Sequence, residues 1–234
     1  MSYLKKIIQM KKIAVFILII ICTLLIGRSY FHINATKAQN GSLDKKVNSS
    51  AMLPQLKDGD MIFQSSVSPQ CKAVQLATGS PYSHCGLIFH EDGKPYVLEA
   101  VQPVTVTSLT DWIARGKNKH YVIKRLKEAD KVLSKEVLAK MKGIGEGFLG
   151  KNYDATFEWS DNRIYCSELI WKIYQRGAGI EVGKLEKLKD FDLSSAEVKS
   201  KLKERYGNQI PLEETVISPA SIFNSELLTT VASN

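Results

Sequence analysis

Short apolar runs separated by turn residues fill the first half of the chain downstream of Leu53. Gly59-Asp60 enters a buried strand over 61–63, and a second strand is predicted over 83–89. The Asp92-Gly93 turn leads into a third strand over 96–100, and 104–107 and 121–126 have the composition of further strands. Two strands joined at hairpin spacing favour an antiparallel sheet over βαβ winding.

Two segments have the end signals and spacing of helices. Ser68-Pro69 predicts a helix of about ten residues with the serine as cap and Gly79 as stop. A second helix is predicted to start at Ser134. Its inward face is an apolar stripe of Val137, Leu138, Met141 and Ile144.

A third helix is predicted to begin at Cys166, where an irregular polar segment gives way to apolar periodicity. The apolar face repeats at helical spacing, in Cys166, Leu169, Ile170 and Ile173. Lys172, Gln175 and Arg176 fall elsewhere on the wheel, and Gly177 is the predicted stop.

Helices are also predicted near the C-terminus. Ser194, with Glu197 three residues later, predicts a capping box for a charged surface helix that ends at Gly207. Ser218-Pro219 opens a last short helix.

The N-terminal region differs in composition from the rest. Residues 1–27 carry two lysine pairs before an uninterrupted apolar run over 13–26, the pattern of either a cleaved signal peptide or an uncleaved signal anchor. Residues 28–52 are polar and predicted to be a linker, and 53–234 form the folded domain. We therefore expect an extracytoplasmic domain, with membrane attachment if the leader is retained.

The net charge of +8 does not indicate a nucleic-acid partner, because it is concentrated in the leader. Residues 1–50 hold eight basic side chains and one acidic one, which leaves 24 basic and 23 acidic residues in the remainder. A nearly neutral domain lacks the basic surface that nucleic-acid binding requires.

Four cysteines occur, and Cys22 lies in the leader. An odd set remains, Cys71, Cys85 and Cys166, which excludes a complete disulfide framework but leaves a Cys71–Cys85 pair open. No Cys-x-x-Cys or His-x-x-x-His spacing is present, so we expect no metal site and no cofactor.

A cysteine nucleophile requires a base and a residue that orients the base. Of the four histidines, His84 opens a predicted strand beside small residues, whereas His32 lies in the linker and His120 in a Lys-rich loop. Glu99 interrupts the apolar strand that neighbours His84, and a carboxylate in that position requires a partner. His84 is the most economical partner, although an edge histidine and an outward-facing glutamate remain alternatives.

From Gly59 to about Val231 the chain resembles the YiiX/YaeF-type permuted papain-like amidases, relatives of the NlpC-like cell-wall hydrolases. The segments that carry the resemblance are Gly59-Asp60-Met61-Ile62-Phe63-Gln64, Lys72-Ala73-Val74-Gln75-Leu76-Ala77-Thr78, Tyr82-Ser83-His84, Pro95-Tyr96-Val97-Leu98-Glu99-Ala100, Trp159-Ser160-Asp161, Tyr165-Cys166-Ser167-Glu168 and Ile210-Pro211-Leu212-Glu213-Glu214-Thr215. The resemblance implies an α+β, circularly permuted papain-like (NlpC-like) fold. Its antiparallel sheet packs against helices, with the nucleophile helix in the C-terminal half.

The resemblance also implies a catalytic set: Cys166 as nucleophile, His84 as base and Glu99 as the orienting residue. We expect the backbone N–H of Cys166 to meet the oxyanion, with Tyr82 or Tyr165 as a second, substrate-binding donor; Tyr82 has a packing role as its alternative. Cys85 does not belong to the family pattern and is interpreted as a bystander.

The expected function is that of an exported cysteine hydrolase, a peptidase or amidase, that cleaves an amide bond through a thioester. A peptidoglycan peptide and an N-acyl amino acid are the two substrate classes considered, and we expect a monomer. An acyltransferase that uses the same site and a non-catalytic binding module are the alternatives. A metal-dependent hydrolase is the weakest alternative, because the sequence contains no cluster of metal-ligating residues.

Overall fold

The computed structural model describes residues 56–66 and 68–234. The predicted leader (1–27), the linker (28–52) and the first residues of the predicted domain lie outside this range. Within the described range, no helix has both the length and the apolar character needed to span a membrane.

Strands and helices are interspersed along the described range. The strands are β1 (Met61–Gln64), β2 (His84–Glu91), β3 (Lys94–Glu99), β4 (Thr105–Ser108), β5 (Val122–Leu126), β6 (Asn152–Tyr153), β7 (Arg163–Ile164), β8 (Glu186–Lys187), β9 (Thr215–Val216) and β10 (Leu228–Ser233). The helices are α1 (Pro69–Thr78), α2 (Leu109–Ala114), α3 (Ala129–Val132), α4 (Lys135–Glu146), α5 (Cys166–Ala178), α6 (Ala196–Tyr206) and α7 (Pro219–Phe223), with 3-10 turns at Lys117–Lys119 and Leu188–Asp190.

Six strands form one antiparallel sheet in the order β10-β5-β1-β2-β3-β4. The predicted hairpin is present: Leu87 pairs with Leu98. Asp92 and Gly93 in its turn both have positive φ, 50° and 72°, which suits the twist of the strands they connect. The α+β class and the antiparallel sheet are therefore confirmed.

The two faces of this sheet bury different sets of side chains. One face packs against α4 and α5 and includes Met61, Phe63, Cys85, Leu87, Leu169, Ile170 and Ile173. The opposite face packs around Trp112 of α2 and includes Ile62, Ile88, Val97 and Ile123. This alternation along β1 and β2 is the period-2 pattern of strands.

The prediction that Gly177 ends the nucleophile helix is wrong. The α5 helix continues to Ala178, and Gly179, in the left-handed region at φ 71°, is its cap. Gly177 instead allows α4 to approach, since a Cβ there would lie 2.4 Å from Met141 Cγ. A glycine near a helix end can either cap the helix or allow a second helix to approach closely. The sequence of the helix itself does not distinguish these two roles, because the second depends on a neighbouring helix.

Lys172 lies outside the predicted apolar face of α5, yet the residue is only 2% exposed. Its Nζ lies 2.7 Å from Glu168 Oε1, 2.8 Å from Asp161 Oδ1, and above the Trp159 ring. The attraction between these paired charges offsets the desolvation cost of burying the Lys172 ammonium group.

The cap of α6 is shifted by one residue from the prediction. Ser195, not Ser194, accepts the Val198 N–H at 3.2 Å, and the helix begins at Ala196. The neighbouring Ser194 instead donates its backbone N–H to Asp192. The remaining caps, at Ser68, Ser134 and Ser218, are as predicted.

Candidate active site

Cys166 is the first residue of α5 and is 4% exposed. The helix begins there because Tyr165 is still extended, and its backbone N–H is accepted by the Glu168 carboxylate at 3.4 Å. The unpaired N–H groups and the positive end of the helix dipole favour a negative charge on the Cys166 sulfur.

His84 opens β2 at the same end of the molecule and lines the same cavity as Cys166. Its Nε2 lies 2.6 Å from Oε2 of Glu99, at the end of β3. Because that contact engages Nε2, Nδ1 is the ring nitrogen left for the thiol. The Trp112 ring is stacked on the imidazole, with centroids 5.8 Å apart and planes at 21°, which restricts its rotation.

Glu99 is fully buried, and its second oxygen has two further donors. Oε1 accepts the Thr107 hydroxyl at 2.6 Å and a guanidinium N–H of Arg115. Burial raises the pKa of Glu99, but His84, Thr107 and Arg115 outweigh that effect and lower it overall. The carboxylate therefore stays ionised while it holds the imidazole.

The electrostatics favour an ion pair of thiolate and imidazolium. Burial lowers the pKa of His84, but the hydrogen bonds and charges of Cys166 and Glu99 prevail and raise it to about 10. The pKa of Cys166 is lowered well below its ordinary value by a hydrogen bond from Cys85, against the effect of burial, and further by His84. A buried thiolate opposite an imidazolium is the form that attacks a carbonyl carbon.

Cys85 belongs to the same buried cluster as Cys166. It is fully buried, and both its side chain and its backbone N–H lower the pKa of Cys166. Burial and the Cys166 charge raise the pKa of Cys85, so its thiol stays protonated. Cys71, Cys85 and Cys166 are free thiols in the structure.

A cavity of about 520 Å³ opens beside Cys166 and His84. Its walls are predominantly apolar, and they are provided by α1, α6 and the segment that connects β8 to α6. The apolar residues that line it include Val74, Ala77, Leu188, Leu193, Val198 and Leu202. Polar side chains also line it, among them those of Gln64, Arg115, Lys201 and Arg205.

The two tyrosines considered as substrate donors occupy different environments. Tyr165 lines the cavity, but its hydroxyl already accepts the Ile217 N–H at 3.1 Å. Tyr82 is stacked on Phe223, with ring centroids 4.2 Å apart, and is not among the residues that line the cavity. The Cys166 backbone N–H, at the start of α5, remains the expected donor to the oxyanion.

Several site residues were not predicted from the sequence. Thr107, Trp112 and Arg115 reach Glu99 or His84 from β4 and α2, and nothing in their local sequence indicates this role. Gln64 is 2% exposed, pairs with His84 across β1 and β2, and has no hydrogen-bond partner for its Oε1. A polar residue at the end of an otherwise apolar strand was the available signal.

The two other histidines in the described range have separate partners. The Nδ1 of His90 lies 2.7 Å from Asp58 Oδ1, and the Nδ1 of His120 lies 2.7 Å from the Asn234 carbonyl. His84 is therefore the imidazole that the fold brings to Cys166.

Comparison with known proteins places this geometry in a family context. Residues 55–232 match the model of the family described as permuted papain-like amidase enzyme, YaeF/YiiX, C92 family. The chain is 52% identical over 178 residues to YiiX of Escherichia coli strain K12, covering 76% of this chain and 87% of that protein. It is also similar to a crystal structure of YiiX from Escherichia coli O157:H7, at a TM-score of 0.74 and 52% identity, covering 77% of this chain and 98% of the other. These matches confirm the resemblance and the permuted papain-like fold inferred from the sequence.

The Escherichia coli O157:H7 protein is described as a metalloprotein. Within 56–66 and 68–234 of the present chain, no three or more His, Cys, Asp or Glu side chains are grouped so that they could hold a metal ion. The residues described here therefore do not fit a metal centre, and no catalytic step is assigned to one.

Proposed function

This chain belongs to the YaeF/YiiX family of permuted papain-like amidases, and from that premise we propose that it hydrolyses amides of apolar acyl groups, N-acyl amino acids among them, through a thioester on Cys166. The placement of Cys166 and His84 on one cavity, with His84 held by Glu99, is the observation that carries the proposed chemistry. Peptidoglycan peptides are the second substrate class.

The proposed acylation transfers one proton. The Cys166 thiolate attacks the amide carbon, and the carbonyl oxygen becomes an oxyanion that accepts the Cys166 backbone N–H. When the C–N bond breaks, the His84 imidazolium protonates the departing nitrogen, so that an amine leaves and a thioester remains.

Deacylation reverses the roles with water. His84, now neutral, removes a proton from a water molecule, whose oxygen attacks the thioester carbon. The C–S bond breaks, which releases a carboxylic acid and restores the thiolate beside the imidazolium. Throughout both steps Glu99 stabilises the positive charge on His84 and fixes the ring nitrogen that faces the sulfur.

The apolar cavity supports an acyl chain over a wall peptide. A stem peptide carries charged and amide groups whose burial against apolar walls is unfavourable unless each of them is paired. An alkyl chain requires no partners and gains from leaving water. Lys201 and Arg205 also line the cavity, and their positive charges suit the carboxylate of an amino-acid leaving group.

Hydrolysis of N-acyl amino acids of increasing chain length tests the proposal. Each methylene that enters an apolar wall contributes about 0.8 kcal/mol, or about a fourfold gain in kcat/KM, until the cavity is full. Across a series from short to long acyl groups, kcat/KM should therefore rise steeply and then level off. A kcat/KM that does not change with chain length would contradict the proposal that the cavity binds the acyl group.

A cavity-filling variant localises the effect. Ala77→Trp, in the cavity wall, should move the levelling point to shorter chains without loss of rate on the shortest one. Leu212→Trp is the matched control, because Leu212 is 45% exposed and is not a lining residue. An identical chain-length profile for both variants would contradict the proposed location of the acyl chain.

The alternatives give different products. Release of amino acids from purified wall peptides, with no activity on acyl substrates, would identify a wall peptidase. An ester or amide formed with an added alcohol or amine, in place of the free acid, would identify an acyltransferase. Loss of turnover with EDTA would favour a metal-dependent hydrolase.

We also propose that the domain works outside the cytoplasm, from the basic and apolar pattern of residues 1–27. Cell fractionation of the full chain, compared with a variant that lacks residues 1–27, tests this. Recovery of both forms in the cytoplasm would contradict it.

A further inference from the structure

The strand that presents His84 extends beyond its partner at the end nearest Cys166. The β2–β3 pairing runs from Glu91–Lys94 to Leu87–Leu98 and stops there, although β2 continues to His84. Backbone N–H groups alternate in direction along a strand, and Ile88 donates to Asp60 on the β1 side. The N–H of Cys85 therefore points to the β3 side, past the end of the ladder.

Cys166 belongs to the same buried cluster as Cys85. The Cys85 N–H, which the early end of β3 leaves without a ladder partner, is among the groups that lower the pKa of Cys166. A buried N–H without any partner would be costly, which favours an acceptor at this position of the fold.

The side chain of Cys85 lies on the α5 side of the sheet. Even positions of β2, such as Ile88, face Trp112, whereas odd positions, such as Leu87, face α5. Cys85 therefore faces α5, is fully buried, and belongs to the same buried cluster as Cys166.

We propose that Cys85 is a further catalytic residue, whose S–H and N–H donate to the Cys166 sulfur and hold it as a thiolate opposite His84. The inference rests on the proposed role of Cys166 as nucleophile. Cys85 would add donors from β2 to the N–H groups at the start of α5, since the two cysteines share one buried cluster. The pKa directions of the two thiols, lowered for Cys166 and raised for Cys85, agree with this arrangement.

A thiol donor suits this position chemically. S–H is a weak donor, so it stabilises the thiolate without suppressing the nucleophilicity of the sulfur as a stronger donor would. When the thioester forms, the sulfur loses its charge and the Cys85 donation weakens, so the interaction favours return of the thiolate as the acyl group leaves.

Substitutions at Cys85 separate donation from packing. Cys85→Val fills the space but has no donor, Cys85→Ser keeps a donor with a similar volume, and Cys85→Ala has neither. All three retain the backbone N–H. A packing role predicts that Val is tolerated better than Ser, whereas a donor role predicts the reverse.

The measurement is the rate at which iodoacetamide alkylates Cys166 across a range of pH, followed by peptide mass so that Cys71 and Cys85 are resolved. We expect the pH midpoint for Cys166 to rise by about one unit in Cys85→Val and Cys85→Ala, the equivalent of one hydrogen bond to a charged group. Cys85→Ser should return it to the wild-type value. Circular dichroism verifies that each variant is folded, and Cys85→Ala serves if Cys85→Val does not fold.

Wild-type midpoints in both Cys85→Val and Cys85→Ala would overturn the proposal, as would a midpoint in Cys85→Ser that matches Cys85→Val. Because the assay needs no substrate, it is separate from the proposed amidase activity. A wild-type Cys166 that titrates like free cysteine would overturn the thiolate pair itself, and with it the proposed mechanism.

Discussion

His84 Nε2 lies 2.6 Å from Glu99 Oε2, and this contact joins the first residue of one strand to the last residue of the next. The other oxygen of Glu99 accepts from Thr107 and Arg115. The carboxylate is therefore fixed from three sides, and the imidazole it holds has one orientation.

Glu99→Gln should slow turnover without abolishing it. The amide still reaches His84 but carries no charge, so the imidazolium is stabilised less, and we expect kcat/KM to fall about ten- to a hundredfold. Thr107→Val is the matched control, since it removes a single neutral donor from the same carboxylate and should cost less. An unchanged kcat/KM in Glu99→Gln would show that the carboxylate has no part in catalysis.

Cys166→Ala should abolish turnover and leave the fold intact. The change removes the nucleophile but is a small substitution in the core, with an expected cost of about 1 kcal/mol in the free energy of unfolding. Product release on the best substrate and urea denaturation are the two measurements. Residual turnover at the wild-type rate would require a different nucleophile.

The pair of Cys166 and His84 should contribute a pH-independent stabilisation between about pH 6.5 and about pH 9. In the folded state the pair holds one proton, on His84, up to its pKa of about 10. The unfolded chain holds two protons below the ordinary pKa of His, 6.5, one proton between that value and the ordinary pKa of Cys, 9.0, and none above it.

The slope of stability with pH follows the difference in bound protons. Below about pH 6.5 the unfolded chain binds more protons than the folded state. The stabilisation therefore falls as the pH falls, by about 1.4 kcal/mol per pH unit. Above about pH 9 the folded state holds more, so the stabilisation falls as the pH rises toward the folded pKa of His84. Denaturation of the wild type and of a Cys166→Ala, His84→Ala double variant above about pH 5 measures this difference. A steady slope through neutral pH would argue against the ion pair.

Gly177→Ala should destabilise the domain. The added Cβ would lie 2.4 Å from Met141 Cγ and 3.1 Å from Met141 Cα, so α4 and α5 must separate, at an expected cost of about 1–3 kcal/mol.

Gly143→Ala, in α4, is the control for Gly177→Ala, because a Cβ there meets nothing within 4 Å. It should stabilise by up to about 1 kcal/mol through helix propensity. Urea midpoints measure both variants, and a stabilising Gly177→Ala would contradict the close packing of the two helices.

The sequence by itself determined those features that depend on neighbours in the chain. Caps at Ser68, Ser134 and Ser218, the turn at Asp92-Gly93 and the start of α5 at Cys166 are each encoded within a few residues. The choice of His84 and Glu99 also came from local context, because a carboxylate in an apolar strand needs a partner on an adjacent one.

The tertiary structure alone decided the contacts between elements. Helical periodicity does not reveal that α4 packs against Gly177 or that the Asp161 segment covers Lys172 on α5. It likewise does not reveal that Cys85 shares a buried cluster with Cys166, because that depends on how β2 packs against the start of α5. Caps and turns are satisfied by backbone groups a few residues away, whereas these contacts join residues farther apart in the chain, whose alignment depends on how the whole core packs.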